Sequence, residues 1–455
     1  MPTIWIFVRC GHRLAQPSTV QGLLDAARPA IAPPLEQVAE RLRVALSRSG
    51  EAASVSAVDA AIEDRRPLVE GLARILSELP AAFAAPLAVT LVEPLLERVG
   101  QLMARPEGPR DRLLGHLLAA ELQLLACAVK LLEPSQAVLA ARPSPAGPMP
   151  AVAVMERSWS LLQSLSLSPW AALPEVGAAL QEVLRRGLTA CRCSQAELVG
   201  TFLEVATSLF QAHGHLGALE LVGLVAEFLK DEGATPALAS AYAACGSGAL
   251  ALLSPGHESR RLEATRALFE MSDRVLVFAP SVALRVGNTQ ELVGAAVASL
   301  GLREREPLAA VLSWLAHIVG PQDKALQSPA WQLLGPSAWA AVGAVAGDLV
   351  NRLCLSMAQT CPRQLSRALA ACFAAMLGNP LLGPGTRQVL PELLPVALSP
   401  VVQAGNLGPG DLQRVVQAMV RSPPLSRGRF DAFIQDILMI CRQESSADVL
   451  VAYEM

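Results

Sequence analysis

The chain has 455 residues, of which 52% are hydrophobic and only 17% charged, and its formal net charge is −3. That balance excludes a global attraction to nucleic acid, which needs concentrated Lys and Arg to neutralise phosphates, while the length suffices for several domains or one elongated array. A mean hydropathy of +0.39 raises a membrane question. The uncharged windows do not sustain it: Gly233 to His257 is mainly Ala, Gly and Ser, and Ala325 to Gly347 is interrupted by Pro329 and Pro336, whereas a span wants about 20 strongly apolar residues. No membrane span is predicted.

Residues 1–34 contain Gly11, Pro17, Pro29, Pro33 and Pro34 without sustained periodicity and are predicted to form an irregular N-terminal extension. The apolar run from Met1 to Val8 precedes Arg9, the reverse of the order in a secretory signal. From residue 35 to 455 the apolar period is helical. Leu35 to Leu46 reads as a short amphipathic helix, the stretches 68–76 and 87–99 as a helix pair turned at Pro80, and Asp111 to Leu132 as one long helix. A proline-rich insertion at 141–150 follows, where prolines and a glycine exclude regular structure.

Helices are then expected near 152–167, 174–191, 195–212, 216–230 and 236–253. Next come three segments carrying Leu268, Phe269, Val275 and Leu276, then Leu292 and Ala296, then Leu308, Val311, Leu312, Leu315 and Ile318. Leu262 and Phe278 are assigned to the same apolar face as the first of these. Pro280 stops that first segment, because the residue before a proline is pushed away from helical angles. Later segments fall near 337–360, 363–377, 385–397, 410–421 and 427–442. No helix of this kind buries its stripe alone, so each asks for similar neighbours. The reading is an all-α, HEAT/ARM-like right-handed superhelical solenoid of antiparallel helix pairs, roughly nine pairs at about 40 to 47 residues each. Aromatic content of 4% and abundant Ala and Leu favour helix over sheet.

The run from Phe269 to Pro280, the corner from Arg303 to Pro307, the Ser313-Trp314-Leu315 run, and a tail of Leu412 to Val420, a spacer from Ser422 to Gly428, then Phe430, Phe433 and Ile437 resemble the C-terminal half of the karyopherin-β nuclear transport receptors, in their transportin-SR and importin-thirteen branch. The resemblance spans roughly residues 60 to 455 and is strongest between about 195 and 320. It implies a superhelical array that loads protein cargo on its inner surface, contacts phenylalanine-glycine nucleoporins on its outer one, and shuttles between nucleus and cytoplasm. Cargo exchange through the small GTPase Ran is implied only if an N-terminal array is supplied, since the family's Ran-contacting half has no counterpart here. The chain then reads as a truncated or divergent product of the cargo-side half.

Candidate site residues are Arg185, Arg186 and Arg192, clustered at the end of one predicted helix. Guanidinium groups suit bidentate recognition of phosphate or carboxylate, and the resemblance places an arginine-rich, cargo-gripping helix at this point, implying arginine-serine-rich cargo. The turns from Pro174 to Glu182 lack the further arginines of that pattern, and cations also simply favour a helix C-terminus. Cys191, Cys193, His213 and His215 group in sequence, but a single residue separates the cysteines where structural zinc sites use two to four; no metal is predicted. Nine scattered cysteines, such as Cys127, Cys245 and Cys372 on apolar faces, suit a reducing compartment better than a disulfide framework. There is no G-x-S-x-G elbow, no H-E-x-x-H and no phosphate loop, so neither an enzyme nor a cofactor is expected, and no direct nucleic-acid partner. The alternative to a transport receptor is a HEAT-repeat scaffold subunit of a cytosolic complex without a transport cycle.

Overall fold

The structure, a computed structural model, describes residues 17–49, 58–59, 62–105, 108–133, 148–191, 196–230, 235–286, 288–321, 326, 328–421 and 425–453, and among these there is no strand. The chain divides into two compact units, Met1–Leu221 and Val222–Met455. Each is a stack of helices in two rows, as in a HEAT/armadillo-type solenoid.

In the first unit the helices are α1 Pro17–Ile31, α2 Leu35–Ser49, α3 Arg66–Ser77, α4 Ala81–Met103, α5 Arg112–Leu131, α6 Pro150–Leu167, α7 Pro174–Cys191 and α8 Ala196–His213, and α9 Gly217–Leu229 begins there. One row runs α3, α5, α7 and the other α4, α6, α8. Helix starts follow local chemistry: the Asp111 carboxylate accepts from the Leu113 N–H at 2.9 Å, satisfying one orphan donor of α5, and prolines open α6 and α3 within their first turns, where no N–H is needed. Helix α5 is enclosed by α3, α4 and α7. It is long and apolar enough to cross a membrane, but 78% of its apolar window is buried inside the unit, so its surface is spent on neighbouring helices. Trp159 meets Phe202 edge-on between α6 and α8, with ring centres 5.3 Å apart.

In the second unit the helices are α10 Pro236–Ala251, α11 Glu258–Phe278, α12 Pro280–Arg285, α13 Thr289–Ser299, α14 Arg305–Val319, α15 Pro329–Gly343, α16 Ala346–Leu355, which runs into a π-turn at Ser356–Thr360, α17 Ser366–Gly378, α18 Gly383–Gln403, α19 Pro409–Val420 and α20 Arg427–Cys441. The row α11, α14, α17, α20 is continuous, with α10, α12, α13, α15, α16, α18 and α19 forming the other. Phe269 packs on Trp314 at 5.4 Å between ring centres. The Cys372 thiol donates to the Leu312 carbonyl at 3.0 Å, and the Asn379 amide to the Val319 carbonyl at 2.7 Å. The Asn379 bond engages one of the last four carbonyls of α14, which the helix itself leaves unsatisfied, whereas Leu312 lies mid-helix.

Four sequence expectations are corrected. The extension expected to be irregular over residues 1–34 contains α1: Pro17 opens it, Pro29 lies in its last turn, and Val20, Leu24 and Ile31 are buried against its neighbours, chiefly α4. A proline in the first turn costs little; Pro29 forgoes one i→i−4 bond near the end of the helix, which shortens the ladder without excluding a helix. Residues 1–16 lie outside the described residues, as do 141–147 of the predicted insertion; Pro150 opens α6. The segment expected over 337–360 is two helices bent by 65°. Leu262, assigned to the buried face of α11, is exposed. The repeat length is also uneven: bonds linking row neighbours span 40 and 47 positions at Ser313–Asp273 and His213–Ser166, but 60 and 64 at Cys372–Leu312 and Arg157–Glu93.

Candidate protein-interaction surfaces

Helix α7 turns Val176, Leu180, Val183, Leu184 and Leu188 inward, chiefly onto α5, and this phase leaves Glu182, Arg185 and Arg186 half-exposed together. Arg185 grips the Glu182 carboxylate in a fork, Nε at 2.8 Å and Nη2 at 2.7 Å, while Arg186 donates from Nε at 2.7 Å. Side chains one turn apart on a helix meet in this way. Two guanidiniums thus share one carboxylate and a net positive charge remains at the surface. Cys127 of α5 lies in the field of this patch: burial pushes its thiol up, and the Arg66, Lys130 and Arg186 cations pull it back. Arg192 lies outside the described residues.

A second surface opens between α14, α17 and α20. Gly320 ends α14 so close to α17 that a Cβ there would stand 2.7 Å from the Ala375 Cβ. Small side chains make this approach possible and leave a shallow groove of about 570 Å³, floored by Ala316, Ala371, Ala374 and Ala375 and walled by Met419 and Phe430. Arg387, Arg427, His317 and Asp431 border it.

The polar groupings capable of chemistry have structural partners. Ser313 donates to Asp273 Oδ2 at 2.8 Å and His317 Nδ1 bonds Asp273 Oδ1 at 2.6 Å. The hydroxyl's proton is therefore directed at the carboxylate rather than at the imidazole, unlike a serine paired with a histidine base; the cluster clamps α11 to α14. Its hydrogen bond to Asp273 raises the His317 pKa against the opposing effect of burial. His213 and His215 each bond a backbone carbonyl, of Ser166 and Ala171, while Cys193 lies outside the described residues. No group of three or more potential metal ligands occurs among the described residues. Burial pushes the thiols of Cys361 and Cys441 up to about 11 and that of Cys354 up to about 12, which suppresses the reactive thiolate.

One ionic centre escaped the sequence reading. Glu121, 0% exposed in the middle of α5, accepts from Arg65 Nη1 at 2.8 Å and from Arg98 Nη1 at 3.1 Å, and Arg65 Nη1 also reaches the Ile31 carbonyl at 3.2 Å. The Arg65 Nε and Nη2 are buried without partners. A single carboxylate amid Leu117, Leu118, Ala119, Ala120, Leu122, Leu124 and Leu125 was the available signal, because a carboxylate on an apolar helix face demands a cation.

No family model matches the chain, and no curated protein does. A solved structure of Importin13 in its cytosolic state superposes on it with a TM-score of 0.64 over 98% of this chain, at 15% sequence identity. The fold is thus an all-helical solenoid like that of Importin13. The match covers 47% of the Importin13 chain, so this chain spans about half the length of that protein. A solved engineered protein matches across 96% of this chain at 14% identity, but its TM-score of 0.37 is too low to argue from.

Proposed function

We propose that the chain is a nuclear transport receptor, or the cargo-side part of one, that binds protein cargo and phenylalanine-glycine nucleoporin repeats and moves between nucleus and cytoplasm. The observation that carries this reading is the fold shared with Importin13 across 98% of the chain. The distribution of exposed apolar side chains supports it against a plain scaffold. Phe83 and Leu167 of the first unit stand on α4 and α6, and Leu333 and Val396 of the second on α15 and α18, each more than half exposed. All four lie on the rows opposite α3, α5, α7 and α11, α14, α17, α20, where they offer apolar contact points, while Leu262 and Val277 on α11 are less exposed. Each phenylalanine docked there gains at most about 1.5–3 kcal/mol from burial, so binding depends on many weak contacts acting together.

Arg185 and Arg186 are the proposed cargo contacts, with Arg192 continuing the cluster in sequence, for arginine-serine-rich segments whose phosphate groups suit guanidinium forks. Ran-driven release is assigned to an N-terminal array outside this chain, because a ligand shifts an equilibrium only through differential affinity for its two states. The test is a pull-down of the full chain on immobilised nucleoporin repeats, followed by titration with Ran-GTP in the presence of a phosphorylated arginine-serine peptide. The expected result is weak retention, lost on replacing Phe83 and Leu333 by Ser, with no release of peptide by Ran-GTP. No retention at any repeat density returns the chain to the scaffold reading, and efficient release by Ran-GTP refutes the assignment of the Ran surface elsewhere.

A further inference from the structure

We propose that the groove between α14, α17 and α20 binds a short acidic peptide segment carrying one large apolar side chain. The proposal rests on the groove itself and does not depend on the transport reading. Its floor consists of methyl groups where α14 and α17 come together, so an approaching chain meets no long side chain that must first be displaced. Met419 and Phe430, on α19 and α20, supply the deeper walls. Methionine adapts to an inserted side chain and phenylalanine offers it a ring face. The volume of about 570 Å³ is in the range of pockets that enclose small ligands and takes one leucine or phenylalanine with its flanking backbone.

The rim selects the charge of the occupant. Arg427 is exposed at the rim of the groove and, among the described residues, makes no hydrogen bond or ion pair. Arg387 donates from Nη2 to the Leu377 carbonyl at 2.8 Å and adds a second positive charge to the border of the groove. Against these two cations stands one carboxylate, Asp431, while His317 and Asp273 already satisfy one another. A partner with an acid on each side of its apolar residue completes both guanidiniums. A basic partner meets two like charges and finds one counter-charge.

Fluorescence anisotropy with the full chain and a fluorescein-labelled Asp-Glu-Leu-Phe-Asp-Glu peptide tests this. Saturable binding is expected, weakened about tenfold by Arg427→Glu, since a charge-assisted contact becomes a repulsion, and abolished by Ala374→Trp, which fills the exposed floor. The Lys-Lys-Leu-Phe-Lys-Lys and Asp-Glu-Ala-Ala-Asp-Glu peptides are expected to bind at least about tenfold more weakly, as each lacks one of the two recognition elements. Arg427→Glu is an exchange at an exposed position, so its melting curve should match the parent and its effect reads binding alone. Equal affinity for the basic peptide, or for neutral Gly-Leu-Phe-Gly, overturns the proposal, as does binding indifferent to Arg427→Glu. Self-association in sedimentation that Ala374→Trp abolishes assigns the groove to a second copy and likewise overturns it. Failure of nucleoporin retention with acidic-peptide binding intact removes the transport reading and leaves this one standing.

Discussion

Two arginines share one glutamate twice in the first unit, at Arg65–Glu121–Arg98 and at Arg185–Glu182–Arg186. The first cluster is sealed, with Glu121 0% and Arg65 2% exposed; the second stands near the surface, with Arg185 34% and Glu182 33% exposed. The same three charges therefore do different things. In the sealed cluster the Glu121 carboxylate is what makes two buried guanidiniums tolerable, and burial draws the Arg98 pKa down while Glu121 draws it back up. It also ties α3 to α5 across 56 positions of sequence, and α4 to α5 across 23. On α7, water already solvates all three groups, so the pairing contributes little to stability and the surplus positive charge stays available to a partner. Burial, more than charge composition, separates a structural ion cluster from a recognition surface.

The sharpest way to probe that difference is to place a carboxylate among buried aliphatic side chains of the second unit. Leu312 is 0% exposed between α11, α14 and α17, and Leu312→Asp loses the packing of an aliphatic side chain and gains a buried acid with no cation. The expected loss is at least about 4–5 kcal/mol, the range reserved for buried unpaired charge, seen as loss of the second unit's melting transition. An unchanged melt would contradict the assigned helix phase.

Breaking the sealed cluster comes next. Glu121→Ala strands Arg65 and Arg98 and is expected to lower stability by about 3–5 kcal/mol, as measured by urea denaturation. Replacing all three together, Arg65→Met, Arg98→Met and Glu121→Leu, is expected to restore most of that loss, because apolar packing of similar volume often equals a buried ion cluster. If the triple variant is as unstable as Glu121→Ala, the cluster's contribution lies in geometry that methionine and leucine cannot replace.

The cluster also marks where sequence reading stops. Helix α7 was legible to the residue at 174–191, and most other segments within a few positions, because apolar period and flanking proline or glycine are local signals. The stacking of helices is not local: Arg65 and Glu121 meet because α3 and α5 share a row, and no periodicity within either helix states that. Helix α1 was missed because its prolines were counted without regard to position. The bend between α15 and α16 was missed because the run from Ala340 to Gly347 is only Ala, Val and Gly and carries almost no amphipathic signal. Of the candidate site, Arg185 and Arg186 were legible as a pair, whereas Glu182 as their shared partner and the alanine-floored groove were not. That groove is assembled from helices widely separated in the chain.

At the exposed cluster the expected stability effect is small and the binding effect larger. Glu182→Ala frees two guanidiniums and is expected to change stability by less than about 1 kcal/mol. It should raise affinity for a phosphorylated arginine-serine peptide severalfold at low salt, with the gain fading as ionic strength rises. Arg185→Ala with Arg186→Ala should lower the same affinity. Calorimetric titration at two salt concentrations measures both; an affinity indifferent to all three substitutions would remove α7 from the cargo surface.

The smallest expected effect belongs to the clamp between α11 and α14, which is neither sealed like Glu121 nor open like Glu182. Asp273 holds Ser313 and His317 together, and its hydrogen bond raises the His317 pKa above the ordinary value, about 6.5 in an unfolded chain. A histidine whose pKa is raised on folding contributes stability that is fully present below the unfolded value and is lost as pH rises through the folded value. The melting temperature of the second unit is therefore expected to fall slightly from pH 6 to pH 8.5 in the parent. It should fall less in His317→Gln, which keeps a polar side chain but cannot titrate. The Ser313→Ala variant should retain most of the parent's pH dependence, because the hydroxyl bonds the other carboxylate oxygen and changes no charge. If His317→Gln loses stability over that interval as steeply as the parent, the protonated imidazole contributes nothing to the clamp, and Ser313 with the surrounding apolar packing holds α11 against α14.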